Sequence, residues 1–356
     1  MKGLLDLHRQ ANAVGPKSVT ARLMTLLLLP PSWLYALVAR LRASAYERHL
    51  FPVYQANLPV LSVGNLAAGG TGKTPTVDWL IKQLQQREKK PAVVSRGYGG
   101  TYRERVGVVT DGQAHLMTAE QCGDEPLLLA RRNPGVPVVV ARRRADGIRY
   151  LERAGGVDVV ILDDGFQHRA VARTLDLVLL DATNPFGNGW TLPAGMLREG
   201  KGALKRADIL LLTRAQEAVT FACADKPVFF SRHQLGDIAC DLYGAATPLA
   251  ALQHLKIAAF AGIADPESFF VALRHLGLQL ETTIPLSDHV TYTPEVVQRL
   301  NVAAGGCQLL LTTEKDGSKL TPDMFSLPCY TVGLVLTIAN AESLMTTITQ
   351  KLWSTS

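Results

Sequence analysis

Cysteine is scarce in this chain. Five residues (Cys122, Cys223, Cys240, Cys307 and Cys329) are scattered through 356 positions, with no C-x-x-C pair. An odd, widely spaced set argues against a disulfide framework or a zinc knuckle and fits a reducing compartment. Aromatic residues reach only 6%, which argues against a protein that stacks nucleic-acid bases on its surface. Charge of one sign is also missing from most of the chain. Of the net +6, residues 1–50 account for +5, with Lys2, Arg9, Lys17, Arg22, Arg40, Arg42 and Arg48 against Asp6 and Glu47. The body is nearly neutral, which disfavours a polyanion-binding body, and no nucleic-acid partner is expected. A basic segment touching an anionic surface remains.

What is present is a composition that folds. At 47% hydrophobic and 19% charged, the chain is no disordered tail, coiled coil or collagen-like fibre. Its length predicts two domains at roughly 150 residues each.

The longest apolar stretch, Leu23–Ala39, is interrupted by Pro30-Pro31. Proline removes a helix donor, and a span needs about 20 continuous apolar residues, so the stretch reads as a marginal, broken span. Basic flanks and the amphipathic Trp33 and Tyr35 suit a helix lying in the headgroup boundary. Residues 1–50 are therefore expected as a membrane-associating helical segment. A helical hairpin packed on its own domain stays open. A cleaved signal peptide is disfavoured, because the next motif needs cytosolic nucleotide.

Short apolar runs follow at Val60–Val63, Ala92–Ser95, Val136–Ala141, Val157–Leu162, Leu175–Leu180 and Ile209–Thr213. They lack alternation, as strands buried on both faces do. Helical stretches such as Thr76–Arg87 and Glu125–Arg132 lie between them. The alternation predicts an α/β fold with a P-loop-type, doubly wound parallel sheet over residues 51–225. The pattern loosens at 226–250, read as a linker. A second, smaller α/β domain is expected over 251–356, from Lys256–Ala261, Pro266–Leu276, Pro294–Ala304, Gln308–Thr312 and Ala341–Leu352.

The sharpest signal is Val60-Leu-Ser-Val-Gly-Asn-Leu-Ala-Ala-Gly-Gly-Thr-Gly-Lys-Thr-Pro75. A buried strand enters a glycine-rich loop that opens a helix near Pro75-Thr76, where a missing N–H costs nothing. Residues Ala67, Ala68, Gly69, Gly70, Thr71, Gly72, Lys73 and Thr74 form the candidate phosphate cradle. Backbone N–H groups and the helix N-terminus face the phosphates, Lys73 reaches the β- and γ-phosphates, and Thr74 can sit on Mg²⁺. Ala67 stands where the strict G-x-x-x-x-G-K-[ST] pattern has glycine. The cofactors expected are ATP and Mg²⁺.

Phosphoryl transfer also needs acidic partners. Asp163 and Asp164 end one buried strand, where ligands gather in open α/β sheets, and Asp181 ends another. Asp124 in Cys122-Gly-Asp-Glu-Pro126 reads equally as a functional carboxylate or a helix N-cap. Arg198 suits a transferring phosphoryl and Glu199 suits a metal. His289, in Ser287-Asp-His-Val290, is alone no more than a loop histidine. Thr313-Glu-Lys-Asp316 does not match the guanine-reading N/T-K-x-D spacing of a GTPase.

Taken in order, these motifs resemble the tetraacyldisaccharide 4'-kinase (lipid A 4'-kinase) family. The match runs through Leu29–Tyr35, Val63–Pro75, Val94–Gly100, Gly123–Pro126, Asp163–His168, Phe186–Glu199, Asp288–His289 and Thr313–Asp316. In that family the position of Ala67 is commonly Thr. The resemblance implies transfer of the ATP γ-phosphoryl to the 4'-hydroxyl of a tetraacylated glucosamine disaccharide 1-phosphate, in lipid A biosynthesis of Gram-negative bacteria. It implies attachment to the cytoplasmic face of the inner membrane, with that lipid and the bilayer surface as partners. By the same resemblance Asp124 is the catalytic base and His289 its dyad partner. Lys73 and Arg198 contact phosphate, and Thr74, Asp163, Asp164 and Glu199 lie at Mg²⁺. A monomer is expected.

Overall fold

A computed structural model describes residues 19–215 and 226–354. Lys2, Asp6, Arg9, Lys17, Cys223 and the expected end of the first domain at 225 lie outside them.

Helix α1 (Val19–Glu47) runs unbroken through Pro30 and Pro31, contrary to the broken span expected. Two missing donors do not stop a helix whose other turns are intact, although each proline deprives the carbonyl four residues back of its partner. Within α1, Arg22–Glu47 is long and apolar enough to cross a membrane. Its Leu27 and Trp33 are 78% and 58% exposed, so the apolar surface of α1 has not been spent on the body of the protein.

The body is built on one sheet of mixed strands. Strands β1 (Val60–Asn65), β2 (Pro91–Ser95), β4 (Val138–Val140), β5 (Val159–Asp163), β6 (Leu175–Asp181) and β7 (Ile209–Thr213) pair in parallel. Almost every residue of these strands is buried, because helices cover both faces. The antiparallel β3 (Gly107–Thr110) closes that edge. Between the strands come α2 (Lys73–Gln85), α3 (Ala119–Cys122), α4 (Asp124–Arg132) and α5 (Arg144–Ala154). The strand–helix alternation seen in the sequence thus forms the expected parallel, doubly wound sheet.

The stretch expected to be a linker is something else. Strand β8 (Val228–Asp241) begins parallel to β7 and continues antiparallel to β13 (Cys329–Ile338). It therefore carries the sheet from one lobe into the other, and the hairpin-like β9 (Ala246–Pro248) pairs with it. Beyond β13 the order is β12 (Leu309–Thr313), β10 (Ile257–Ala261) and β11 (Leu280–Pro285), all parallel. Helices α6 (Pro266–His275), α7 (Pro294–Ala303) and the short α8 (Glu314–Gly317) belong to this second lobe.

The last helix, α9 (Ala341–Trp353), does not stay there. Its Leu344, Met345, Ile348 and Leu352 bury themselves with Leu61, Val77 and Leu80 of the first lobe. Such side chains contribute about 1.5–3 kcal/mol each, so α9 draws the chain end back across the β8–β13 ribbon.

Candidate active site

The C-terminal end of β1 sets the first part of the site. Asn65, fully buried, donates from its side chain to the Ala67 carbonyl at 2.6 Å and to Thr71 Oγ1 at 2.8 Å. The loop is thus held from inside by a residue that the sequence reading passed over. Its only local signal is a polar residue closing an apolar strand just before glycines. Gly72 then adopts φ 83°, a left-handed conformation open to glycine at little cost. Helix α2 starts at Lys73, slightly earlier than the sequence suggested, and Thr76 Oγ1 donates to the Gly72 carbonyl at 2.8 Å.

This loop opens into a cleft of about 1740 Å³ between the lobes. Ala68, Gly69, Gly70, Thr71, Gly72, Lys73 and Thr74 line it, as do Asp124, Asp163, Asp164, Arg198, Glu199 and His289. Ala67 is not among the lining residues. It pairs as an isolated bridge with Leu197 and packs beside Leu66 and Phe166.

On the β5 side, Asp163 is 2% exposed, and its Oδ2 accepts from Ser95 Oγ at 3.0 Å. Its Oδ1 is buried with no partner. Burial, reinforced by Glu125 and Asp164, pushes the Asp163 carboxyl up to about 6. Asp164 fares differently. Burial opposes its charge, but Lys73 at 3.6 Å and Arg198 at 2.8 Å outweigh that and hold it below the usual carboxylate range. Glu199 is paired with Arg206 at 3.0 Å.

An unsatisfied, buried carboxylate oxygen beside a second carboxylate fits a hard cation. Among the described residues no group of three or more His, Cys, Asp or Glu forms a ready-made metal site.

Across the cleft, Gly123 is the N-cap of α4 and no side chain caps the helix. Asp124 is thus left for the cleft. Its Oδ2 meets His289 Nδ1 at 3.1 Å and Lys319 Nζ at 2.8 Å. His289 sits at φ 57°, edge-on to Tyr98 with ring centroids 6.2 Å apart, and its Nε2 is 3.5 Å from Lys315 Nζ. An ammonium can only donate and a carboxylate can only accept. The tautomer with its proton on Nδ1 satisfies both neighbours. Lys315 lies in the Thr313–Asp316 motif, but Lys319 carried no sequence signal, because its role depends on a fold that brings α8 to α4. There too, Arg132 of α4 pairs with Glu314 of α8 and reaches Asp78 of α2 at 3.3 Å, tying the phosphate-loop helix to the second lobe.

The chain is similar over most of its length to known proteins. Residues 24–353 match the family model of tetraacyldisaccharide-1-P 4'-kinase. A tetraacyldisaccharide 4'-kinase of Syntrophotalea carbinolica is 48% identical, covering 94% of each chain. One from Geobacter sulfurreducens is 45% identical, covering 87% of this chain and 88% of its own. The crystal structure of LpxK from Aquifex aeolicus in complex with ATP superposes with a TM-score of 0.79 at 30% identity, over 93% of this chain and all of that one. The chain belongs to the tetraacyldisaccharide-1-P 4'-kinase family.

Proposed function

We propose that the protein transfers the γ-phosphoryl of ATP to the 4'-hydroxyl of a tetraacylated glucosamine disaccharide 1-phosphate, a late step of lipid A biosynthesis. The observation that carries this reading is the Asp124–His289 contact, which spans the two lobes above the Lys73 loop. A sugar hydroxyl is a poor nucleophile, and a positioned carboxylate that accepts its proton helps. His289 and Lys319 both engage Oδ2. Oδ1 is thus the oxygen left to take the proton as the hydroxyl oxygen bonds to the γ-phosphorus and ADP departs.

Lys73 and the N–H groups of the loop hold the phosphates, and Arg198 follows the transferring group once it leaves Asp164. The candidate ligands for Mg²⁺ are Thr74, Asp163 and Asp164, with Glu199 close by; when bound, the ion neutralises charge on the β- and γ-phosphates. The lobes, 51–225 with α9 and 251–338, are read as closing about the β8–β13 ribbon, which excludes water and protects ATP from hydrolysis.

The exposed apolar face of α1 is read as attaching the enzyme to the cytoplasmic face of the inner membrane, where its acylated substrate resides. The same reading takes the enzyme to act as a monomer. The test is a radiolabelled-ATP assay with the lipid disaccharide monophosphate and with its deacylated counterpart. Label should pass to the acylated acceptor. Equal ATP turnover with and without acceptor would mark a regulatory ATPase instead.

A further inference from the structure

Helix α1 presents leucines and a tryptophan outward, yet the side chain it encloses most fully, among those described, is polar. Ser32 is 0% exposed. Its hydroxyl donates to the Thr191 carbonyl at 2.8 Å, and Thr191 Oγ1 donates to the Ser32 carbonyl at 3.0 Å. The two hydroxyls also lie 2.9 Å apart. This reciprocal lock joins residues 159 positions apart in sequence. Hydroxyls buried among apolar groups are costly unless paired, so the pairing fixes one rotation and one depth of α1 against the body.

Thr191 opens a loop that leads to the phosphate site. It bridges Leu197, whose carbonyl accepts from Leu192 N at 2.9 Å. Leu197 in turn bridges Ala67, at the start of the phosphate loop. The Met196 carbonyl accepts from Ala68 N at 2.7 Å, and Arg198 N donates to the Leu66 carbonyl at 2.8 Å. The same loop ends in the Arg198 guanidinium on Asp164. A second tether runs from Arg169, just past Asp163 and Asp164, to the Ala43 carbonyl at 2.8 Å and Glu47 at 3.1 Å. Helix α1 is therefore hydrogen-bonded, through loop 190–198, to the backbone that cradles the phosphates.

We infer that Ser32 and Thr191 are positioning residues for phosphoryl transfer: by locking α1 onto loop 190–198 they set the course of the phosphate loop and the reach of Arg198. Helix α1 is then a structural part of the nucleotide site as well as a membrane attachment. The inference rests on the kinase reading above.

The test uses the full-length protein on vesicles carrying the acylated acceptor, with Ser32→Ala, Thr191→Val and the double variant. Each single change should lower kcat and weaken ATP binding about tenfold, the effect of roughly 1.4 kcal/mol, while vesicle flotation and KM for the lipid stay put. The double variant should be no worse than either single one, as for partners in one contact. Thr191→Ser, which keeps the hydroxyl, should restore ATP affinity. Were Ser32→Ala not to fold, Thr191→Val against Thr191→Ser would carry the same comparison. A lowered melting temperature with unchanged kcat and ATP affinity would overturn the inference, and so would a defect confined to flotation. Failure of the kinase reading would look different, since the unaltered protein would then label no acceptor.

Discussion

Asp124 and His289 stand 165 positions apart, on opposite lobes, and meet at 3.1 Å through Oδ2 and Nδ1. Asp124 heads α4 without capping it, and His289 is held at a left-handed φ that aims its ring across the cleft. If the carboxylate takes the acceptor's proton, Asp124→Asn should lower kcat by about 10²–10⁴ and leave ATP binding intact. Equilibrium ATP titration beside steady-state kinetics separates the two. A loss confined to ATP affinity would make Asp124 part of the nucleotide site instead.

Lys319 shares the Asp124 Oδ2 at 2.8 Å and is itself mostly enclosed. It holds the same carboxylate oxygen as His289 and so helps direct Oδ1 at the acceptor. Lys319→Met should lower kcat by about 10–100-fold, since a hydrogen bond to a charged group contributes roughly 1.5–3 kcal/mol. Lys319→Arg should recover part of the loss. The kcat and KM values of both variants, measured with the lipid acceptor, decide. A change in KM alone would place Lys319 in acceptor binding.

Asp163 couples stability to function in the opposite sense. Its carboxylate is buried, lacks a partner at Oδ1 and is pushed above the usual carboxylate range by burial, Glu125 and Asp164. Without a cation, holding that charge costs stability at neutral pH. Asp163→Asn should therefore melt no lower than the unaltered protein in metal-free buffer, and phosphoryl transfer should fall at least a hundredfold, the scale of losing one preorganised electrostatic contact. Calorimetry with and without Mg²⁺ checks the first half and the acceptor assay the second. A destabilised variant would show that Asp163 is chiefly structural.

Much of this site is legible in the chain because it is local. The apolar strand, the glycines and Lys73 follow one another within the stretch Val60–Thr74, and Asp163–Asp164 close a strand that is apolar throughout. What was not legible depends on distant pairing. Strand β8 mixes Arg232, His233, Gln234 and Asp237 with apolar residues and is half exposed. Its identity as a strand comes from β13, roughly a hundred residues later, with Ser231 opposite Ile338 and Asp241 opposite Tyr330. Lys319 gains a role only when α8 packs beside α4. The prolines of α1 misled for a different reason: the rule that proline ends a helix describes a local cost, and a 29-residue helix absorbs it through the hydrogen bonds of its other turns.

His233 closes the account of charge in the cleft. Its ring lies so near Gly72 that a Cβ there would clash with it, and its Nε2 is buried without a partner. Burial, helped by Arg214, lowers its pKa from 6.5 to about 4. His168 is lowered likewise, by burial and by Arg144 and Arg42. Between pH 6.5 and 4 the unfolded chain takes up protons on these rings that the native protein refuses. Stability is therefore lost as the pH falls through that window. Asp163 acts oppositely, since burial raises its native carboxyl above the unfolded value of 3.8, so the native form takes up its proton first as the pH falls. Asp176, raised by burial, acts as Asp163 does, whereas Asp164, held low by Lys73 and Arg198, acts with the two rings. His233→Gln should remove the loss due to its own ring, about one proton's worth, as read from urea midpoints at pH 7 and pH 5. An unchanged slope would mean that His233 is protonated in the native protein at pH 5 and that the ring–loop contact opens in acid.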